Sequence, residues 1–201
     1  MSHDAFYQTI QYNDSRLHLN VEHVKQYLDD NICAQLYTSI MKNPNNFHYP
    51  IITKKGLISK KRNKTIYGSI PSYRIVYKGV ECITKVHPWT PELKQLCEKV
   101  EEYTGEKYNT CVVCVYNSGE TGIKPHRDKE MKRDSTIASV SLGQGRTMRF
   151  EKQTNKLDIT LDSGDLCLIK YPTNEHWLHS IPTDTSNGAR ISVIFRHHVV
   201  E

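Results

Sequence analysis

The chain has 201 residues, 37% of them hydrophobic and 24% charged, with a formal net charge of +5 at pH 7. That length can bury one sizeable core, and no run approaches the ~18–20 apolar residues that a membrane span requires. The opening residues, Met1 to Phe6, have no basic start leading into an apolar segment, and position 2 is Ser rather than Gly. Neither a secretory signal nor myristoylation is therefore expected, and the reading is an intracellular, non-membrane protein of the nucleus or cytoplasm.

In chain order, the first helix is predicted from Asn20, a favoured N-cap, because Val21, Val24, Tyr27, Leu28, Ile32, Leu36 and Ile40 recur at helical spacing up to Asn43-Pro44. Residues 1–50 thus read as an N-terminal helical part. Residues 45–88 hold strand-like pieces separated by Gly68, Pro71 and Gly79. Within them Lys54, Lys55, Lys60, Lys61, Arg62 and Lys64 crowd one short segment with no acid. Such a run is either a solvated loop, a localisation signal or a loop that contacts phosphates. A second helix follows Thr90 as N-cap and Pro91 at the first helical position, with Leu93, Leu96, Cys97 and Val100 as its apolar stripe and Gly105 as its stop.

From residue 108 onward the pattern is β. Strands are predicted at 110–116, 136–142, 147–152, 157–161, 165–170 and 189–196, with turns at Gly143-Gln144-Gly145 and Asp162-Ser163-Gly164-Asp165. Many short strands behind two helices predict a mostly β, α+β fold. Its core is a double-stranded β-helix (jelly roll) over 108–198, with helices on one face. One domain over 1–201 is expected. Cys33, Cys82, Cys97, Cys111, Cys114 and Cys167 read as reduced and largely buried, and Cys111-Val112-Val113-Cys114 has no second CxxC or His pair to complete a zinc set.

His126-Arg127-Asp128 carries the chemistry. Two histidines and one aspartate form the facial triad that holds non-haem Fe(II) with coordination positions left open. Alternation along a short strand would turn His126 and Asp128 to one face. A chain with ten histidines produces HxD by chance, but here a later strand-borne His179 follows, then Arg190 in another apolar strand. Iron alone would not need that arginine, whereas a dicarboxylate co-substrate would. The order points to an Fe(II)/2-oxoglutarate oxygenase.

Between residues 58 and 198 the chain resembles the AlkB family of Fe(II)/2-oxoglutarate-dependent nucleic-acid dioxygenases, and within it the animal-type DNA-repair branch. The residues that carry the likeness are Lys61-Arg62, Tyr67-Gly68, Ile137 to Gly143, Pro172-Thr173-Asn174-Glu175-His176-Trp177-Leu178-His179-Ser180, and Arg190 to Arg196. The resemblance implies that His126, Asp128 and His179 bind Fe(II) and that His176 is a neighbour. It implies that Arg190 holds the far carboxylate of 2-oxoglutarate, Arg196 the carboxylate near the metal, and that Tyr116 donates its hydroxyl to the same co-substrate. Cys114 stands where the family usually has Asn, and Ser192 makes an Arg-x-Ser pair typical of other 2-oxoglutarate oxygenases. Among substrate contacts, Glu130 matches an acid that reads the exocyclic edge of the damaged base, and Lys129 stands where a second acid is frequent. Tyr77, or Tyr73 on the same strand, would stack on the base, Arg62 would lie near it, and Lys60 and Lys61 would meet phosphates. Residues 51–88 then form a nucleotide-recognition segment. The implied activity, with O2 as oxidant, is oxidative demethylation of N1-methyladenine and N3-methylcytosine in DNA by a monomer. An RNA demethylase and a catalytically degenerate nucleic-acid-binding module are the alternatives. No aromatic lies between Pro50 and Ile66, so strong duplex preference is not implied.

Overall fold

In the computed structural model, residues 7–47, 51–53, 56–58, 62–77, 80–129 and 131–199 are described, with the backbone alone at 51–53, 56–58, 62, 75–77 and 80–82. Two strands, β1 (Gln8–Asp14) and β2 (Leu19–Lys25), form an antiparallel hairpin ahead of helix α1 (Asp30–Lys42). The helix predicted from Asn20 therefore starts at Asp30, on an Asp29 N-cap whose carboxylate accepts from the Ile32 N–H. The first half of the supposed stripe is strand. Val21 and Val24, three apart, point to opposite faces of β2, and each enters a different apolar cluster. With both faces covered the strand loses its alternation, and its valines imitate a helical period.

What holds β2 in place lies far along the chain. The buried His23 ring meets the Asp165 carboxylate at 2.8 Å, and Asp165 also accepts from the backbone N–H groups of Gln26 (3.0 Å) and Asp162 (2.9 Å). Asp165→Ala leaves these donors unsatisfied and is expected to lower stability by about 3 kcal/mol, read as a shifted urea midpoint. Burial alone would raise the Asp165 carboxyl; the His23 and backbone donors outweigh it and hold the carboxyl below its ordinary range. Its stabilisation is present above that range and is lost as pH falls below it, so acid should narrow the gap between wild type and variant. An unchanged midpoint at neutral pH would contradict this account.

The remaining elements are β3 (Ile51–Thr53), β4 (Gly56–Ile58), β5 (Arg62–Gly68), β6 (Ser72–Tyr77), β7 (Val80–Lys85), β8 (His87–Pro88), α2 (Pro91–Thr104), β9 (Thr110–Tyr116), β10 (Ile123–His126), β11 (Ile137–Gly143), β12 (Arg146–Lys152), β13 (Asn155–Leu161), β14 (Leu166–Ile169), α3 (Thr173–His176), β15 (Leu178–Ile181) and β16 (Arg190–Arg196). Helix α2 carries the predicted caps: Thr90 accepts from the Leu93 N–H, and Gly105 closes the helix at φ 72°, a conformation open to glycine.

Among the described residues, the large sheet runs β1-β2-β14-β11-β16-β9-β5-β8 and the small sheet β10-β15-β12-β13, with β3–β4 and β6–β7 as separate hairpins. This is the predicted jelly roll. Alternation on the large sheet then sorts side chains. Cys111, Val113 and Val115 of β9 and Ile191, Val193 and Phe195 of β16 face the cluster that includes the apolar stripes of α1 and α2. Val112, Cys114 and Tyr116 face the other way, into a cluster shared with Phe150 and Met148 of the small sheet. Cys111 and Cys114 thus lie on opposite faces of one strand. Both are free and buried, as are Cys33, Cys97 and Cys167, and this CxxC is packing.

Candidate active site

The small sheet brings the two histidines together. Strands β10 and β15 pair antiparallel with His126 opposite His179, and their rings lie 4.4 Å apart. Gly122 permits the approach, since a Cβ there would strike the Ile181 carbonyl. Strand β10 ends at His126, so Asp128 is not placed by strand alternation as predicted. It is placed by Asn174, whose side-chain oxygen accepts from the Asp128 N–H at 3.0 Å and whose amide donates to the Asp128 carbonyl at 2.9 Å. The ligand atoms of His126, Asp128 and His179 all lie within 4.8 Å of one another.

Protonation states suit a metal. The His126 Nδ1 lies 2.9 Å from the Lys124 carbonyl, which can only accept; Nδ1 therefore donates there, and Nε2 is the atom turned toward the Asp128 carboxylate, 3.6 Å away. Burial pushes the His179 imidazole down to about 4, so it is neutral at physiological pH. Burial would raise the Asp128 carboxyl, but the Arg196 guanidinium, 2.6 Å away, overrides it and holds Asp128 well below the carboxylate range. Two imidazoles and one carboxylate on one side of a cavity are a donor set for divalent non-haem iron with positions to spare.

The triad opens on a cavity of about 370 Å³ whose walls include Cys114, Tyr116, Ser192, Arg196 and Lys64. Arg190 lies on the same face of β16 as Ser192 and Arg196, because alternate residues share a face. It is fully buried; one nitrogen donates to Ser141 Oγ at 3.0 Å, and its guanidinium sits 5.6 Å from the Tyr116 ring centroid. Its Nε and Nη1 have no protein partner among the described residues. A buried guanidinium with open donors fits a bound carboxylate, the group that a 2-oxoglutarate co-substrate would bring.

Several contributors were not legible in the sequence. Besides Asn174, Ser141 orients Arg190. The fully buried Arg146 ties the loop before β10 to the chain after β15, donating to the carbonyls of Ser118, Gly119, Thr121 and Pro182 and meeting Asp184 at 2.7 Å. The quoted Pro-Thr-Asn-x-His-Trp segment contained Asn174, while nothing local marked Arg146. Of the expected substrate contacts, Tyr73 is buried and stacked on His198, 4.0 Å between ring centres, and is not a wall of the cavity. Arg62 lies opposite Tyr116 in the β5–β9 register and Tyr77 ends β6; their side chains, and all of Lys60, Lys61 and Glu130, lie outside the described residues. His176 stacks on His18 at 4.2 Å, apart from the triad.

A jelly roll with a His-Asp-His trio beside a buried, open arginine defines the site class of a mononuclear iron oxygenase that takes a dicarboxylate. The chain belongs to the 2OG-Fe(II) oxygenase superfamily, whose family model matches residues 20–196, and the residues fit that family's Fe(II), 2-oxoglutarate and O2. It is 32% identical over 151 residues to a DNA oxidative demethylase ALKBH2 from Bos taurus, covering 69% of this chain and 53% of the relative. It is 28% identical over 144 residues to an alpha-ketoglutarate-dependent dioxygenase alkB homolog 3 from Homo sapiens, covering 65% and 49%. The chain thus spans about half the length of these curated relatives. The structure of OsALKBH1 superposes with a TM-score of 0.63 at 13% identity, covering 94% of this chain and 100% of that one. A prolyl hydroxylase from Trichoplax adhaerens gives 0.57 at 12% identity over 88% and 83%. At these identities they share the fold.

Proposed function

We propose that this protein removes N-methyl groups from nucleobases, N1-methyladenine and N3-methylcytosine in DNA, as an alkylation-repair dioxygenase. The observation that carries the reading is the likeness to ALKBH2 across a chain whose triad and Arg190 are intact. When bound, Fe(II) and 2-oxoglutarate supply, with O2, oxidation of a methyl carbon that departs as formaldehyde, leaving succinate and CO2. The chain's own residues position and screen. His126, Asp128 and His179 hold the metal; Arg190, Tyr116 and Ser192 orient the co-substrate, and Arg196 keeps Asp128 ionised. The apolar walls, Ile137, Met148 and Ile169 among them, limit water.

A base stacked in a duplex cannot enter such a cavity, so the substrate base is extruded or already single-stranded. N1-methyladenine and N3-methylcytosine do not pair normally, which lowers the energy of extrusion, and Glu130 supplies a negative charge for their cationic rings. Tyr77 stacks on the extruded base, with Tyr73 bracing the same hairpin against His198. Arg62 lies near that base, and Lys60 and Lys61 approach the phosphates. The test is mass spectrometry on oligonucleotides bearing N1-methyladenine, N3-methylcytosine or N6-methyladenine, in single- and double-stranded DNA and RNA. Loss of methyl from the first two in DNA is expected. Faster turnover of matched RNA would move the assignment to RNA, and succinate release without loss of methyl from any oligonucleotide would overturn the reading.

A further inference from the structure

Lys64 falls within the basic segment that the sequence suggested for phosphate contact, yet its place in the sheet is different. It is on β5, and its register partner is Cys114 of β9, whose other neighbour is Ser192 of β16, which in turn pairs with Ser141 of β11. Lys64, Cys114, Ser192 and Ser141 therefore make one row across four adjacent strands. Three of them, Lys64, Cys114 and Ser192, line the iron-site cavity, and Ser141 holds Arg190. Along β16 this row is two residues from Arg190 and four from Arg196, roughly 7 Å and 13 Å at strand rise. Lys64 is level with the stretch of wall between the two arginines.

Charge makes that position meaningful. The co-substrate is a dianion. Arg196 is already engaged by the Asp128 carboxylate at 2.6 Å, so part of its charge is taken. Arg190 supplies one cation whose Nε and Nη1 have no protein partner among the described residues. Of the described residues that line the cavity, Lys64 and Arg196 are the lysine and arginine side chains. Directly beside Lys64 in the row stands Cys114, a short side chain and a weak hydrogen-bond donor. Directly paired strand residues have Cβ atoms about 5 Å apart, and the four-carbon stem of lysine can carry its ammonium over such a neighbour.

We propose that Lys64 is a co-substrate-binding residue, reaching over Cys114 to add a second protein cation, besides Arg190 and the metal's own charge, to the site of the 2-oxoglutarate dianion. Being exposed at the rim, it exerts an attraction that salt screens, whereas the buried Arg190 contact is screened little. The experiment measures 2-oxoglutarate affinity of the full chain loaded with Mn(II), by titration calorimetry without nucleic acid, so its outcome is independent of the demethylase assignment. Lys64→Met is expected to weaken 2-oxoglutarate about fivefold to tenfold and to flatten the salt dependence of binding, with Mn(II) affinity and melting temperature unchanged. Lys64→Arg should stay within about twofold of wild type. Adding Cys114→Asn to Lys64→Met should recover most of the loss, because the amide offers a neutral donor in the same row. Wild-type 2-oxoglutarate affinity in Lys64→Met overturns the proposal, and if oligonucleotide binding alone weakens, Lys64 is a phosphate contact. A fall in Mn(II) affinity or melting temperature in both Lys64 variants overturns it too, since the residue would then be structural.

Discussion

Asp128→Ala and His179→Ala are each expected to lose Fe(II)-dependent succinate formation, with Fe(II) affinity falling by at least about 100-fold. Residues outside the coordination sphere commonly account for 10- to 100-fold effects, and a lost ligand should exceed them. The two variants should differ in stability. His179→Ala removes a buried neutral ring and leaves the Asp128–Arg196 pair at 2.6 Å in place. Asp128→Ala leaves Arg196, itself largely buried, without that partner, and breaking such a pair is expensive. Thermal melts should therefore show the larger fall for Asp128→Ala, while both variants keep a β-type circular dichroism spectrum. Near-normal succinate release by either would remove the assignment of the metal centre.

Arg190→Lys carries the second large effect. The lysine retains charge but not the planar fork, and the Nε and Nη1 that face no protein partner are the atoms lost. The apparent 2-oxoglutarate KM should rise by about tenfold or more, a loss of ~1.4 kcal/mol or greater, with less change in the KM for the oxidised substrate. Ser141, which accepts from Arg190 at 3.0 Å, would lose that donor as well. An unchanged KM would place the far carboxylate elsewhere.

The sequence by itself determined most of the strands after residue 108, the capped second helix, and the candidate iron and co-substrate residues in their order along the chain. These are legible because they are local. Thr90, Pro91 and Gly105 mark helix ends by backbone chemistry. The apolar run of β9 and the Arg-x-Ser of β16 need no distant partner to be recognised. Tertiary structure decided the rest. Val21 and Val24 belong to a strand because β1 and β14 flank it and both of its faces are buried, a fact absent from residues 19–25 themselves. Asp128 is aimed by Asn174 and ionised by Arg196, both remote in the chain. Lys64 reads as one cation in a basic run until the β5–β9 register sets it beside Cys114 at the cavity wall. In each case the deciding energy is a contact or a desolvation that exists only once distant segments pack, and pattern along the chain carries no record of it.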